Sequence, residues 1–251
     1  MSSNKVDIIL PVYNTKDFII QTLKSIIKQT YRNWRILIVD DASNDGTTEL
    51  IKFFLNRNLC KKKFLFIKNK KNRGQAFCRN LALKYSKSKF IAFIDSDDMW
   101  TNNKLSKQIK FMLSKGYNFT YTDYKSIKND KIKKIITPLF FNYKNFTKNT
   151  SLATSTMIIK RNFLNKIFFP NLRRCEDYYF KCKILNKIRA YRCRGFYTFY
   201  RLRNNSLQSD RLKVLLALWN INKRYNKMNF SDNLFSIFFI IYNSLKKYAL
   251  R

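Results

Sequence analysis

The 251-residue chain has no histidine, four glycines, three prolines, and 15 acidic residues against 51 lysines and arginines. Without histidine, the usual proton carrier at neutral pH and the commonest metal ligand are both missing. Any metal must then be held by oxygen, which favours Mg²⁺ or Mn²⁺ over the imidazole- and thiolate-seeking Zn²⁺. The glycines, Gly46, Gly74, Gly116 and Gly195, stand too far apart for G-x-G-x-x-G or G-x-x-x-x-G-K-[ST]. Dinucleotide-binding and P-loop phosphate cradles, which need glycine to bring backbone N–H groups against phosphate, are thereby disfavoured. The five cysteines (Cys60, Cys78, Cys175, Cys182, Cys193) are odd in number and contain no C-x-x-C pair, the pattern of a reduced, intracellular protein. No signal-peptide arrangement precedes Val6, and the most apolar late stretch, Leu234 to Leu245, is shorter than the roughly 20 residues of a spanning helix. A cytoplasmic protein without a transmembrane segment is expected.

What is abundant is positive charge. The formal net charge of +36 invites a nucleic-acid or anionic-membrane partner. Lys, Asn, Ile and Phe are all plentiful, however, as an AT-rich genome would make them, and the basic residues form no zinc-finger, basic-helix or aromatic RNP-like pattern. At 45% hydrophobic, the chain can bury one large core.

Val6 to Val12, Arg35 to Val39, Phe64 to Ile67 and Phe90 to Ile94 read as buried strands: short, β-branched and aromatic, and bounded by polar turns. Helices are expected between them. The first carries Ile19, Leu23, Ile26 and Ile27 after the capping candidates Asn14 and Thr15, the second follows Ser43-Asn44-Asp45-Gly46, and the third covers Gln75 to Tyr85. Such βαβ units give a mostly parallel α/β sheet that binds ligands at the carboxyl ends of its strands. Beyond Trp100, Lys104 to Ser114 reads as helix, Asn118 to Thr122 and Leu152 to Ile159 as strands, and 123–150 has no clear pattern. A helix is expected over Glu176 to Asn186, a strand over Ala190 to Tyr200, and tail helices over Arg211 to Tyr225 and Asn233 to Tyr248.

The scarce acids are not scattered. Seven of them form three clusters, Asp40-Asp41, Asp95-Ser96-Asp97-Asp98 and Glu176-Asp177. Adjacent carboxylates repel and raise one another's proton affinity, so such clusters point to a cation, a hydrogen-bond donor or a proton-transfer role. The first two follow strands directly, which brings them to one sheet edge. Each also has a plain structural reading: a solvated turn with a helix cap for Asp95 to Asp98, an Asp-Asp-x-Ser turn for Asp40-Asp41, and helix N-terminal acids for Glu176-Asp177.

Several segments, in their order and spacing over residues 5 to about 115, resemble the nucleotide-sugar half of glycosyltransferase family 2. They are Pro11-Val12-Tyr13-Asn14, Gln29-Thr30-Tyr31, Val39-Asp40-Asp41-Ala42-Ser43, Asn72-Arg73-Gly74 with Arg79-Asn80, and Phe93-Ile94-Asp95-Ser96-Asp97-Asp98. Cys175-Glu176-Asp177-Tyr178 resembles the family's acceptor-side motif, and Tyr200 to Ser206 resembles a segment that often follows it. The resemblance implies a GT-A fold, a nucleotide-diphosphate sugar donor, expected to be UDP-linked, a divalent Mn²⁺ or Mg²⁺, and inversion at the anomeric carbon. It further implies that Pro11 and Tyr13 line the nucleobase pocket, that Asp41, with Asp40, accepts a base N–H, and that Arg79 lies near that pocket. Asp95 is expected at the ribose with Ser96 beside it, Asp97 and Asp98 at the metal, and Asp177 as the general base for the acceptor hydroxyl.

Processive members carry Q-x-x-R-W and membrane-spanning helices, whereas this chain offers Gln208-x-x-Arg211 followed by Leu212, so a single addition is expected. The organisation anticipated is a GT-A domain over 1–208, with a donor half (5–115) and an acceptor half (116–208), followed by a helical appendage over 209–251. The acceptor expected is a glycan or a lipid-linked glycan of the cell surface, such as lipopolysaccharide or capsule, and not a nucleic acid. A basic nucleic-acid-binding protein and a metal-dependent nucleotidyltransferase stand as alternatives. The run Leu234 to Tyr242, followed by Lys246-Lys247 and Arg251, reads either as a peripheral anchor on the anionic inner face of the cell membrane or as the last core helix.

Overall fold

In the computed structural model, residues 4–57, 61–203 and 210–249 are described. Cys60, Asn204-Asn205-Ser206, Gln208 and Arg251, and the expected boundary at 208, lie outside them.

The N-terminal half follows the βαβ expectation closely. Strands β1 (Val6–Val12), β2 (Trp34–Asp40), β3 (Phe64–Lys68) and β4 (Phe90–Phe93) alternate with helices α1 (Ile19–Ile27), α2 (Thr47–Asn56) and α3 (Gln75–Tyr85). All their pairings are parallel, in the order β3-β2-β1-β4. The chain reverses direction across the sheet between β1 and β4, and the crevice at such a switch point is where open α/β sheets take their ligands. β1 is buried along its whole length because both faces are covered. Val6, Ile8, Leu10 and Val12 pack with Ile19, Leu23 and Ile26 of α1 on one face, while Ile9 packs with Ala76, Cys78 and Ala82 of α3 on the other. Pro11 is tolerated in this central strand because β1 and β4 pair only as far as Ile9 and Phe93, so its missing N–H is not needed there. The N-terminal caps differ from expectation. Helix α1 begins at Ile19 with no side-chain cap, because Asn14 (φ 47°) turns aside to bond Asn44 instead.

After β5 (Met99–Trp100) and α4 (Lys104–Lys115), the sheet becomes mixed. Strand β6 (Phe119–Lys128) runs past its expected end into a hairpin with β7 (Lys131–Ile135). The intervening Asn129 and Asp130 both have positive φ, as a tight two-residue hairpin turn requires. β8 (Phe140–Phe141) and α5 (Tyr143–Phe146) fill the stretch that showed no pattern. The strand expected over Leu152 to Ile159 is largely replaced by a 3₁₀ turn at Thr154–Thr156, leaving only β9 (Ile158–Lys160) to bridge β4 and β6. α6 (Glu176–Leu185) and β10 (Ala190–Arg201), parallel to β6, complete this half.

The tail forms α7 (Arg211–Asn220), a π-helical turn (Ile221–Tyr225) and α8 (Phe230–Ala249). Asn222, fully buried in the π turn, accepts from Tyr178 Oη (2.8 Å) and donates to Asn233 (3.0 Å) and Ser236 (2.9 Å). Ser236 in turn donates to the Thr147 carbonyl, and Asn243 to that of Lys148. α8 thus docks through a polar seam, while Phe230, Leu234, Phe235, Phe238, Tyr242 and Leu245 are exposed. Beside that seam, Ile240 joins the core and the half-buried Ile237 packs against it, so the inward face of α8 is part polar and part apolar. Among the described residues, no helix is long and apolar enough to cross a membrane.

Candidate active site

Three loops meet at the carboxyl edge of β1, β2 and β3. Asn14 N–H donates to Ser43 Oγ, Thr15 N–H to Thr47 Oγ1, and Lys16 N–H to Asp45, stitching the first loop to the second. Asp40 is fully buried; its carboxylate accepts from Ser43 N–H and Oγ on one oxygen and from Thr48 Oγ1 on the other. With both oxygens engaged, Asp40 knots the loop that carries Asp41. Asp41 reaches the third loop, accepting from Asn69 Nδ2 (2.7 Å), Arg73 N–H (2.9 Å) and Gly74 N–H (2.7 Å). Pro11 is buried below, and the Tyr13 ring stands 46% exposed at the mouth. Asn14, Ala42 and Cys175 all carry positive φ, a strain that persists only where surrounding bonds fix the backbone.

The second acidic cluster turns sharply after β4. Asp95 N–H donates to Ser155 Oγ, and the Asp95 carboxylate takes Arg79 at 2.6 Å and Gln75 at 3.2 Å. Asp97 lies partly open, paired with Arg203 at 2.7 Å. Its proton affinity is raised, chiefly by burial and by Asp95, against the pull of Arg203 and Arg201. Asp98 faces the other way: fully buried, it accepts from Ser155 Oγ and from Arg201 N–H. Burial and the carboxylates of Asp97 and Asp95 push its proton affinity well up. Asp98 therefore braces the turn that carries Asp97. Ser96 is buried, and its carbonyl accepts from Thr22 Oγ1.

The third cluster reaches the same place from the far half of the chain. Arg79, buried on α3, bridges Asp95 to Glu176 at 2.8 Å. Burial raises the Glu176 carboxyl to about 7, with Asp177 adding to the rise and Arg79 opposing it. Asp177 behaves oppositely. Burial pulls its proton affinity up, but Lys181 and Arg79 outweigh this and hold the carboxyl well below the usual range. One oxygen of Asp177 accepts from Lys181 Nζ (2.7 Å) and Thr154 Oγ1 (2.9 Å). Neighbouring carboxylates driven apart in proton affinity are a hallmark of acid–base sites.

A cavity of about 350 Å³ collects these groups. It is lined by Gln75, Arg79 and Asp95 from the N-terminal half, Thr154, Glu176, Asp177 and Lys181 from the far half, and Val214, Leu215, Leu218 and Ile240 from the tail helices. Of the sequence candidates, the cavity unites Arg79, Asp95 and Asp177; Pro11, Tyr13, Asp40, Asp41, Ser96, Asp97 and Asp98 do not line it. Sequence reasoning missed Lys181, Thr154, Ser155 and Arg203. Lys181 left a signal, standing four residues after Asp177 as a helical ion pair does. Ser155 left none, since its segment reads as a strand.

The family model described as "Glycosyl transferase family 2" matches residues 7–168. The chain is 37% identical to the Escherichia coli "UDP-Glc:alpha-D-GlcNAc-diphosphoundecaprenol beta-1,3-glucosyltransferase WfgD", over 88% of this chain and 86% of that protein. Its fold matches that of S. aureus TarS 1-349 in complex with UDP-GlcNAc, with a TM-score of 0.72 at 20% identity, covering 96% of this chain and 73% of that one. It also matches the mannosyltransferase PcManGT from Pyrobaculum calidifontis in complex with GDP-Man and Mn²⁺, with a TM-score of 0.69 at 16% identity, covering 98% and 76%. Three βα loops gathered at a switch point, with acidic turns from both halves of the chain meeting over one cavity, are thus the site of a GT-A fold, and the chain belongs to glycosyltransferase family 2.

Proposed function

We propose that this protein is an inverting transferase that moves one sugar from a UDP-linked donor to a hydroxyl of a lipid-linked surface glycan. The observation that carries the reading is the convergence of Asp95, Arg79, Glu176 and Asp177 on one cavity. WfgD, whose name specifies a UDP-Glc donor and a diphosphoundecaprenol-linked acceptor, supports the donor and acceptor classes. In this reading Tyr13 flanks the base, Asp41 holds the loop that receives it, and Asp95 approaches the ribose. Asp177, ionised at neutral pH, accepts the acceptor hydroxyl proton as that oxygen bonds to the anomeric carbon and the bond to the diphosphate breaks. General-base assistance of this kind is worth about 10²–10⁴ in rate. Arg79 keeps Glu176 and Asp95 paired beside it.

The residues at Asp97 fit a divalent cation. No group of three or more Asp, Glu or Cys side chains cages a metal among the described residues. Asp97, crowded by Asp95 and partly open, suits a Mg²⁺ or Mn²⁺ held by one or two carboxylates and completed by substrate phosphates. When bound, the cation neutralises charge on the departing diphosphate. Arg203 must then leave Asp97 or share it.

Contact with an anionic membrane surface is part of this proposal. The exposed apolar face of α8 and the basic residues around it complement such a surface.

Titration with UDP and Mn²⁺ tests the reading: UDP should raise the Tm in a Mn²⁺-dependent way. Asp97→Ala should abolish that dependence while the protein stays folded. Asp177→Asn should retain donor affinity and lose about 10²–10⁴ of turnover, because a transition-state interaction goes without loss of uniform binding. Unchanged turnover in Asp177→Asn would return Glu176-Asp177 to a helix-terminal role.

A further inference from the structure

A second cavity, of about 530 Å³, opens between α7 with its π turn and the segment just before α6. Four cationic side chains line it, Arg173, Arg174, Lys213 and Arg224, and among the described residues no acidic one does. Asp210, outside the lining, holds Lys213 at 2.8 Å. The Nε of Arg174 is buried with no hydrogen-bond partner among the described residues. A buried donor left unpaired is costly, and the guanidinium that carries it lines a cleft of like charge.

The cleft adjoins the active site through the chain itself. Arg173 and Arg174 line both cavities. Cys175, in the left-handed region at φ 58°, separates them from Glu176 and Asp177. An anion seated on the arginines therefore lies next to a hydroxyl presented to Asp177. On α7, the neighbours of Lys213 and Ala217 include Leu212 and Leu216, which are 68% and 54% exposed. The cleft thus combines cations with an apolar flank.

We infer that Arg173, Arg174, Lys213 and Arg224 bind the diphosphate that joins the acceptor sugar to its lipid, with the first part of the lipid lying along Leu212 and Leu216. This rests on the proposed transferase reading and adds to it the way in which the acceptor is recognised. In that reading the donor's ribose lies at Asp95 and its diphosphate on a cation held by Asp97, so the cleft is left for a second diphosphate. Guanidinium groups suit it because they meet phosphate oxygens in a planar, bidentate fashion.

The test is binding of farnesyl diphosphate to the full-length protein in saturating UDP and Mn²⁺, with inorganic pyrophosphate and farnesol as comparison ligands. Farnesyl diphosphate should bind with the donor site already filled, and more tightly than either comparison ligand. Arg224→Glu and the milder Arg224→Met and Lys213→Gln should each weaken it by about tenfold or more, as loss of a charge-assisted contact does. UDP affinity should stay unchanged in all three. Equal binding of pyrophosphate would overturn the lipid-linked assignment, and unchanged farnesyl diphosphate affinity in the Met and Gln variants would overturn the site. Failure of the wild type to bind UDP at all would instead remove the transferase reading beneath it.

Discussion

Asp177 and Lys181 form an ion pair one helical turn apart, and with Asp177 as the proposed general base that pair governs the pH response. A general base works only when ionised, and Asp177 is held below the usual carboxylate range by Lys181 and Arg79 in spite of burial. It therefore stays ionised into acid and sets no acidic limb near neutrality. Lys181→Met removes the strongest of the opposing charges and leaves burial to raise the pKa, so the acidic limb of kcat/KM should move to higher pH while the donor KM holds. A pH–rate profile from about pH 4 to pH 9 reads this directly. An unmoved limb in Lys181→Met would detach Asp177 from the chemistry, and a limb near 7 that disappears in Glu176→Gln would belong to Glu176, whose carboxyl burial raises to about 7. The acidic positions were legible because carboxylates are scarce in this chain. Their orientation was not: Asp40 and Asp98 each turn inward onto a hydroxyl, Ser43 or Ser155. Only the folded loops decide which member of a pair faces the ligand.

Among the elements, β1, β2 and β4 were legible because strands buried on both faces tolerate little but apolar residues, whereas β3, expected to be buried, is a half-buried edge strand that its aromatic and β-branched run still revealed. The β6–β7 hairpin escaped because Lys131-Ile132-Lys133-Lys134-Ile135 looks like solvated charge. Its signal was Asn129-Asp130, a residue pair suited to the positive φ of a tight turn. The tail helices were legible as helices, but the face by which they dock was not. The run from Leu234 to Tyr242 is apolar on nearly all sides and singles out no docking face, whereas α8 is bound through Asn233, Ser236 and Asn243 beside Ile237 and Ile240. Asn222 is the centre of that seam and is fully buried. Asn222→Leu strands the groups of Tyr178, Asn233 and Ser236, at about 1–3 kcal/mol for each left unpaired. Urea unfolding should show a loss on the order of 3 kcal/mol. Hydrogen exchange should lose protection in α7 and α8 before β1 to β4. A loss below about 1 kcal/mol would mean that the seam is not what holds the tail.

At the scale of the whole molecule, the proposed membrane contact rests on the outward face of α8. Phe230, Leu234, Phe235, Phe238, Ile241, Tyr242 and Leu245 share that face, each at least 40% exposed. A contiguous apolar patch of this kind on a soluble surface marks an interaction site. Lys213, Lys223, Arg224 and Lys227 on the adjoining tail segment and Lys246 on α8 are exposed, in a chain of net charge +36. Apolar insertion backed by basic attraction is how interfacial helices bind anionic membranes, each cation contributing about 1 kcal/mol near the surface. Docked this way, the tail that walls the Asp177 cavity faces the lipid phase, where a lipid-linked acceptor resides. Flotation with vesicles rich in phosphatidylglycerol should carry the wild type at low salt and less of it at high salt. Vesicles of phosphatidylcholine alone should carry little. Phe235→Glu with Phe238→Glu should abolish flotation while leaving UDP binding and Tm intact, because both rings point outward and contribute nothing to the seam. A wild type that stays at the bottom of the gradient at low salt would end the proposal. So would a concentration-dependent dimer abolished by the same double substitution, which would identify a second copy of the chain as the true occupant of this face.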